Sequence, residues 1–147
     1  METFNFDVQT ALFDLLRVVI AFVLAIPIAW ERVKSPRNLG LRTFPIVAIA
    51  SCGFVITARS LPGLDAQGLA RVLQGLMGGI GFIGGGAILK EGTDVRGIAT
   101  AASIWSTGAI GAAVGVDRIE IAITLSVINF LVLYFLTPIS DQPKSAE

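Results

Sequence analysis

The sequence predicts an all-α protein, a polytopic bundle of about five transmembrane helices. Of its 147 residues 54% are hydrophobic and only 15% are charged, and the mean hydropathy is +0.77. Such a chain has too few polar residues to cover a water-soluble domain. Its apolar residues also form runs close to the length of about 20 residues that a helix needs to cross a bilayer. We therefore expect one membrane domain over residues 1–147, surrounded by lipid.

The third predicted span, residues 71–90, contains seven glycines. In water an interior glycine costs a helix about 1 kcal/mol relative to alanine. In a membrane, small residues four positions apart let a second helix approach closely. Gly75 with Gly79, and Gly81 with Gly85, therefore predict a packing surface, and we expect this span to be the central helix of the bundle.

The same run matches a nucleotide-binding pattern that we exclude. Gly79, Gly81 and Gly84 have the GxGxxG spacing, which binds dinucleotides only between a strand and a helix. Here all three glycines lie within one apolar run, so we assign Gly84 to helix packing as well.

Four further apolar runs predict the other spans, at approximately residues 11–30, 43–60, 97–116 and 120–138. The first of these contains Asp14 and Arg17, which are three residues apart and so lie on one helix face. Pairing would reduce the cost of placing both charges in the membrane. The pair is either functional or a pair of side chains that extend to the nearby membrane surface.

Basic residues after the first span predict the orientation of the chain. Residues 31–43 contain Arg32, Lys34, Arg37 and Arg42 against the single acid Glu31. By the positive-inside rule this loop is cytoplasmic. Five spans then place the N-terminus outside and the C-terminus in the cytoplasm.

The alternation of the spans brings the loops at residues 31–43 and 90–96 to the same membrane face. Their charged residues form a candidate gate or partner-docking surface, composed of Glu31, Arg32, Arg42, Asp94 and Arg96. The alternative is that these charges only set the topology and anchor helix ends.

The fourth predicted span carries a stripe of polar and small residues along one face. Thr100, Ser103 and Thr107 recur on one helical face that continues into Gly111. Such a stripe is typical of interhelical hydrogen bonding and close packing, with a permeation path as the alternative.

Composition argues against several other functions. The chain has no histidine and one cysteine, so it lacks the commonest transition-metal ligand and the commonest acid–base catalyst. We expect no enzyme activity, catalytic residue, metal site or cofactor. Its 11 basic and 11 acidic residues give no basic excess for nucleic acid.

Three ordered motifs give the chain a family resemblance over about residues 12–137. They are NLGLRTFPIVAIASC, RVLQGLMGGIGFIGGGAILKEG and VRGIATAASIWSTGAIGAAVG. Together they resemble the MgtC/SapB family of bacterial inner-membrane proteins, in a short form without the soluble C-terminal domain of long members. The sequence WER after Ala29 is similar to the family's GxER element, with alanine where glycine is usual.

The resemblance implies a role in growth at low magnesium, in survival of bacteria inside host cells, and in binding and restraint of the F-type ATP synthase. It also implies a set of important positions, namely Glu31, Arg32, Gly40, Arg42, Arg71, Gly79, Gly81, Gly84, Arg96, Gly97 and Thr100.

Two functional hypotheses follow. The first is a non-enzymatic membrane regulator whose glycine-rich helix docks against another membrane protein, such as subunits of the ATP synthase. The alternative is a small homo-oligomeric transporter or channel for magnesium or another ion, and we expect a homo-oligomer in any case. A magnesium path usually offers oxygen ligands or acidic rings, and Asp14 is the only carboxylate in the interior of the predicted spans, which favours the regulator.

Overall fold

The computed structural model describes residues 7–33, 41–92 and 94–140, and it confirms the predicted all-α bundle. The described chain contains helices α1 to α5 and one antiparallel hairpin of strands β1 and β2. In chain order they are α1 (Val8–Val33), α2 (Thr43–Arg59), α3 (Ala66–Gly86), β1 (Leu89–Glu91), β2 (Asp94–Arg96), α4 (Ile98–Gly115) and α5 (Ile119–Ser140). Within these ranges α1, α4 and α5 are long and apolar enough to cross a membrane, and α2 is a shorter apolar helix.

The third helix differs from the predicted span at both ends. It begins at Ala66 because the Asp65 side chain accepts a hydrogen bond of 2.7 Å from the Gly68 backbone N–H, which caps the helix. It ends at Gly86, and the predicted loop that follows is the β-hairpin, in which Lys90 pairs with Val95. The helix therefore begins five residues before, and ends four residues before, the span predicted at about residues 71–90.

The centre of the bundle is α4. This helix packs against α1, α2, α3 and α5, whereas α3 packs mainly against α4 and α2. The expectation that the glycine-rich helix is central is therefore wrong. Half of α4 is buried, including the small residues Ser103, Thr107, Gly108, Gly111 and Gly115, which let several helices approach it.

The closest helix contact joins α2 to α4. The two helices run parallel, since Ala48 lies at Gly111 and Val55 lies at Gly115. A Cβ atom at Gly111 would lie 2.1 Å from the Ala48 carbonyl oxygen. The absence of a side chain at Gly111 is therefore what allows this contact.

The first helix buries a stripe of small residues against its neighbours. Ala21, Ala25, Ile28 and Ala29 are buried at helical spacing. Ser126 on α5 donates a hydrogen bond of 2.6 Å to the Leu24 carbonyl oxygen, which ties α5 to α1.

Several predicted residues lie outside the described part of the chain. They are Lys34, Arg37 and Gly40 between α1 and α2, and the termini at residues 1–6 and 141–147. The side chain of Asp94 is likewise not described.

Candidate functional site

Arg32 is the buried member of the predicted docking cluster. It occupies the last turn of α1, only 6% of its surface is exposed, and its Nη1 atom lies 3.5 Å from the Thr100 hydroxyl oxygen. The end of α1 and the start of α4 therefore meet at the same end of the bundle, as the alternation of spans predicts.

Three other members of that cluster are more exposed. Arg42 and Arg96 are exposed, and Glu31 is half-buried. The backbone of Asp94 pairs with Glu91 in the hairpin. The structure thus brings Arg32 to Thr100 and leaves two further arginines on the surface around the same end.

At the opposite end, four side chains form a charge network, which we call the Asp117 network. Its members are Asp14 and Arg17 on α1, Arg59 at the end of α2, and Asp117 in the turn between α4 and α5. Arg17 lies 2.8 Å from Asp14 and 2.7 Å from Asp117. Arg59 lies 2.6 Å from Asp117 and donates a further hydrogen bond of 2.8 Å to the Gly115 carbonyl oxygen.

The Asp117 network ties three segments of the chain together. The two arginines donate to different oxygens of Asp117, and these hydrogen bonds hold the pKa of that carboxyl below its usual value. The predicted pair of Asp14 and Arg17 is present. Arg59 and Asp117 were missed, although the alternation of spans already places them at the same end.

Helix α3 has two different faces outside its contact with α4. One face borders a groove against α2, which we call the α2–α3 groove. The other, which we call the outward face, consists of Met77, Gly78, Gly81, Phe82 and Gly85. Phe82 is 86% exposed, which makes it the most exposed large apolar side chain that the structure describes.

The five glycines of α3 that were predicted to pack against another helix differ in how close their neighbours are. A Cβ atom at Gly75, Gly79, Gly81 or Gly85 would meet nothing within 4 Å, whereas one at Gly84 would lie 3.2 Å from the Ala101 carbonyl oxygen. Within this chain, only Gly84 of these five packs closely against another helix.

The polar stripe of α4 faces the interior. Ser103 and Thr107 are buried, and their hydroxyls donate to carbonyl oxygens of their own helix, at Ala99 (2.8 Å) and Ser103 (2.7 Å). In the described part of the chain these two hydroxyls thus donate within α4, whereas the Thr100 hydroxyl of the same stripe has its partner on α1, Arg32. With Gly111, these side chains contribute close packing.

Comparison with known proteins identifies the family. The model of the MgtC family matches residues 18–142 of the sequence. The chain belongs to the MgtC family. The resemblance seen in the three motifs is thereby confirmed.

Similar proteins come from several bacteria. The chain is 38% identical over 127 residues to an uncharacterised protein of Synechocystis, covering 86% of this chain and 53% of that protein. It is 37% identical to protein MgtC of Brucella abortus, covering 81% of this chain and 49% of that protein. It is 33% identical to protein MgtC of Salmonella typhi, covering 90% and 58%.

The chain spans about half the length of the curated relatives that it matches. No solved structure matches it.

The described part of this MgtC-family chain offers little for metal chemistry. Among the described residues, no group of three or more cysteine, aspartate or glutamate side chains is placed to hold a metal ion. One further polar site lies between α4 and α5. Asn129 on α5 lines a cavity of about 320 Å³ with Ser103 and Ser106 of α4, and its buried Nδ2 atom has no hydrogen-bond partner among the described residues.

Proposed function

We propose that this MgtC-family protein is a non-enzymatic regulator in the bacterial inner membrane, acting by helix–helix contact with another membrane protein. The outward face of α3 is the observation that carries this proposal. It combines three glycines with no neighbour at their Cβ positions, Gly78, Gly81 and Gly85, with the exposed side chains of Met77 and Phe82.

The physics of membranes supports a protein partner for this face. Apolar side chains gain nothing from leaving lipid for another apolar surface, so helices associate in the bilayer through close packing. Gly81 and Gly85 are four residues apart and lack side chains, so a second helix can approach the backbone between them. Phe82 and Met77 then supply the side-chain contact beside that bare strip.

The family resemblance suggests the partner and the setting. The proposed partner is the F-type ATP synthase, through its membrane subunits, and the proposed setting is adaptation to low magnesium and survival inside host cells. The proposed topology is multi-pass, with the N-terminus outside and the C-terminus in the cytoplasm. It rests on Arg32, Arg42 and Arg96, all at the end of the bundle opposite the Asp117 network.

The second candidate is a small homo-oligomeric transporter or channel. The observation that favours it is the cavity between α4 and α5, where the Asn129 amide has an unpaired donor beside Ser103 and Ser106. Against it, the hydroxyls of Ser103 and Thr107 are already bonded within their own helix.

Crosslinking in native membranes followed by purification tests the leading proposal. Wild-type protein should retain ATP synthase membrane subunits, and Gly81→Leu should lose them because the added side chain blocks helix approach. Gly81→Ala should retain most of the association. Gly53→Leu on α2 is a matched control, since a Cβ atom there also meets nothing within 4 Å.

Two results would contradict this proposal. Equal recovery of the ATP synthase with Gly81→Leu and Gly53→Leu would exclude the outward face as the contact. Magnesium flux into proteoliposomes containing only the purified protein, lost in Asn129→Leu, would favour the transporter.

A further inference from the structure

The α2–α3 groove is apolar along its length and carries a cation at one end. Its cavity volume is about 450 Å³. Its apolar walls include Ile46, Val47, Phe54, Val72, Leu76 and Ile83. Gly75 and Gly79 form part of the lining, and a Cβ atom at either would meet nothing within 4 Å, so the absence of side chains there leaves the space open.

The groove has the length of one membrane leaflet. On α3 its lining runs from Arg71 to Ile83, which corresponds to about 18 Å of helix. Half of a bilayer's hydrocarbon core is about 15 Å thick. The volume also lies in the range of roughly 300–1,000 Å³ that is typical of small-molecule pockets. A single extended apolar chain entering from one membrane surface therefore fits the groove.

Arg71 gives the groove its polar end. Its side chain is exposed, and it takes part in none of the ion pairs found among the described residues. It lies about one and a half turns inside α3, at the end where Phe54 of the antiparallel α2 also lines the groove. A guanidinium at this depth extends toward the membrane surface, where it can bind an anion. Its planar array of donors matches the oxygens of a phosphate group.

We infer that the α2–α3 groove binds an anionic glycerophospholipid, with one acyl chain between α2 and α3 and the phosphate on Arg71. Charge complementarity favours this occupant over a helix from a second copy of the chain. An apolar helix laid along the groove would fill its apolar part but would supply no anion for Arg71. A phospholipid supplies both the apolar chain and the negative charge.

The lipid site and the proposed protein contact lie on adjacent faces of α3. Gly75 and Gly79 line the groove, whereas Gly78 and Gly81 belong to the outward face. The inference therefore goes beyond the proposed regulation, and one can fail while the other holds.

Native mass spectrometry of the full chain, titrated with phosphatidylglycerol in detergent, tests the inference. Wild-type protein should bind one phosphatidylglycerol, at least tenfold more tightly than a diacylglycerol with the same acyl chains. Arg71→Gln removes the cation, and Gly75→Leu places a side chain in the groove from a position whose Cβ atom meets nothing within 4 Å. Each should weaken phosphatidylglycerol binding at least tenfold.

The matched controls are Arg118→Gln and Gly78→Leu. Arg118 is an exposed arginine outside the groove, and Gly78 is an equally open glycine on the outward face. Both should bind phosphatidylglycerol as the wild type does, and Gly81→Leu should also do so even if it loses its protein partner. Unchanged binding in Arg71→Gln and Gly75→Leu would overturn the inference. Conversion of a dimer to a monomer by Gly75→Leu would also overturn it, because a second copy would then occupy the groove.

Discussion

Helices α3 and α4 are both rich in small residues, yet they use them in opposite ways. The small residues of α4 are buried and set close distances to α2 and α3, as at Gly111 and Gly108. Most glycines of α3 meet nothing inside the chain. The glycine positions of a helix therefore show where another helix can approach it. They do not show whether a helix of the same chain does approach. In α4 the small residues fit this chain, and in α3 they remain open to lipid or to another protein.

The sharpest test of this contrast is leucine at Gly111 against leucine at Gly81. At Gly111 even a Cβ atom would lie 2.1 Å from a backbone oxygen of α2, and backbone cannot rotate away as a side chain can. Overpacking typically costs about 1–3 kcal/mol, and we expect Gly111→Leu to reach or exceed the upper value. Membrane accumulation and the midpoint of thermal unfolding in detergent would measure this.

Gly81→Leu should accumulate and unfold like the wild type, because no described residue lies within 4 Å of the Cβ position at Gly81. Equal stability of the two leucine variants would mean that α2 does not contact α4 at Gly111.

A substitution in the connection between α3 and α4 should have a smaller effect on stability. Gly97 has a φ of +90°, and a Cβ atom there would lie 2.1 Å from the Ala87 carbonyl oxygen at the end of α3. A left-handed conformation costs a residue with a side chain roughly 1–2 kcal/mol. We expect Gly97→Ala to lose about that amount or more in its free energy of unfolding, measured by denaturant titration in mixed micelles.

Gly92 in the hairpin turn provides the matched control. Its φ of +62° imposes a similar conformational cost, but a Cβ atom there meets nothing within 4 Å. Gly92→Ala should therefore be less destabilising than Gly97→Ala. The reverse order would show that α3 and α4 are not held together at Gly97.

The charged residues at the turn after α4 give a further test of how α4 is held in the bundle. The turn after α4 is anchored by Asp117, which binds both Arg17 and Arg59. We expect Asp117→Asn to lower the free energy of unfolding by roughly 1 kcal/mol, and Asp14→Asn by less, because Arg17 keeps Asp117 when Asp14 is lost. Thermal unfolding at neutral pH would rank the two variants. A larger loss for Asp14→Asn would show that Asp117 does not organise the network.

The smallest expected effect is a dependence on pH. The Asp117 pKa lies below its ordinary value of 3.8 because Arg17 and Arg59 donate to the carboxylate. Its stabilising contribution is therefore complete above the ordinary pKa and is lost as the pH falls through the lowered pKa. The unfolding midpoint should not change through this group between pH 6 and pH 8, and should fall below about pH 4. Asp117→Asn should show a weaker fall, and an identical acid response in both proteins would contradict this assignment.

Much of the fold could be predicted from the sequence because membrane helices depend on local composition. Apolar runs located the five helices, and the three-residue spacing of Asp14 and Arg17 predicted their ion pair. The earlier start of α3 also had a local signal, since Asp65 precedes the helix and Gly68 lies three residues later.

The arrangement of the helices could not be predicted in the same way. Which helix lies at the centre depends on contacts between distant residues, such as Ala48 with Gly111, and no local pattern encodes these. The partners Arg59 and Asp117 are 58 positions apart, so only the alternation of spans related them. The hairpin was missed because its strands have three residues each and lack a strong alternating pattern.

The parallel packing of α2 on α4 bears on how the protein is made. At a synthesis rate of about 5–20 residues per second, Gly111 leaves the ribosome roughly 3–13 seconds after Ala48. During that interval the surface of α2 that packs on α4 has no partner from its own chain, because α4 does not yet exist. The close fit of Gly111 against Ala48 can therefore form only when most of the chain has been synthesised.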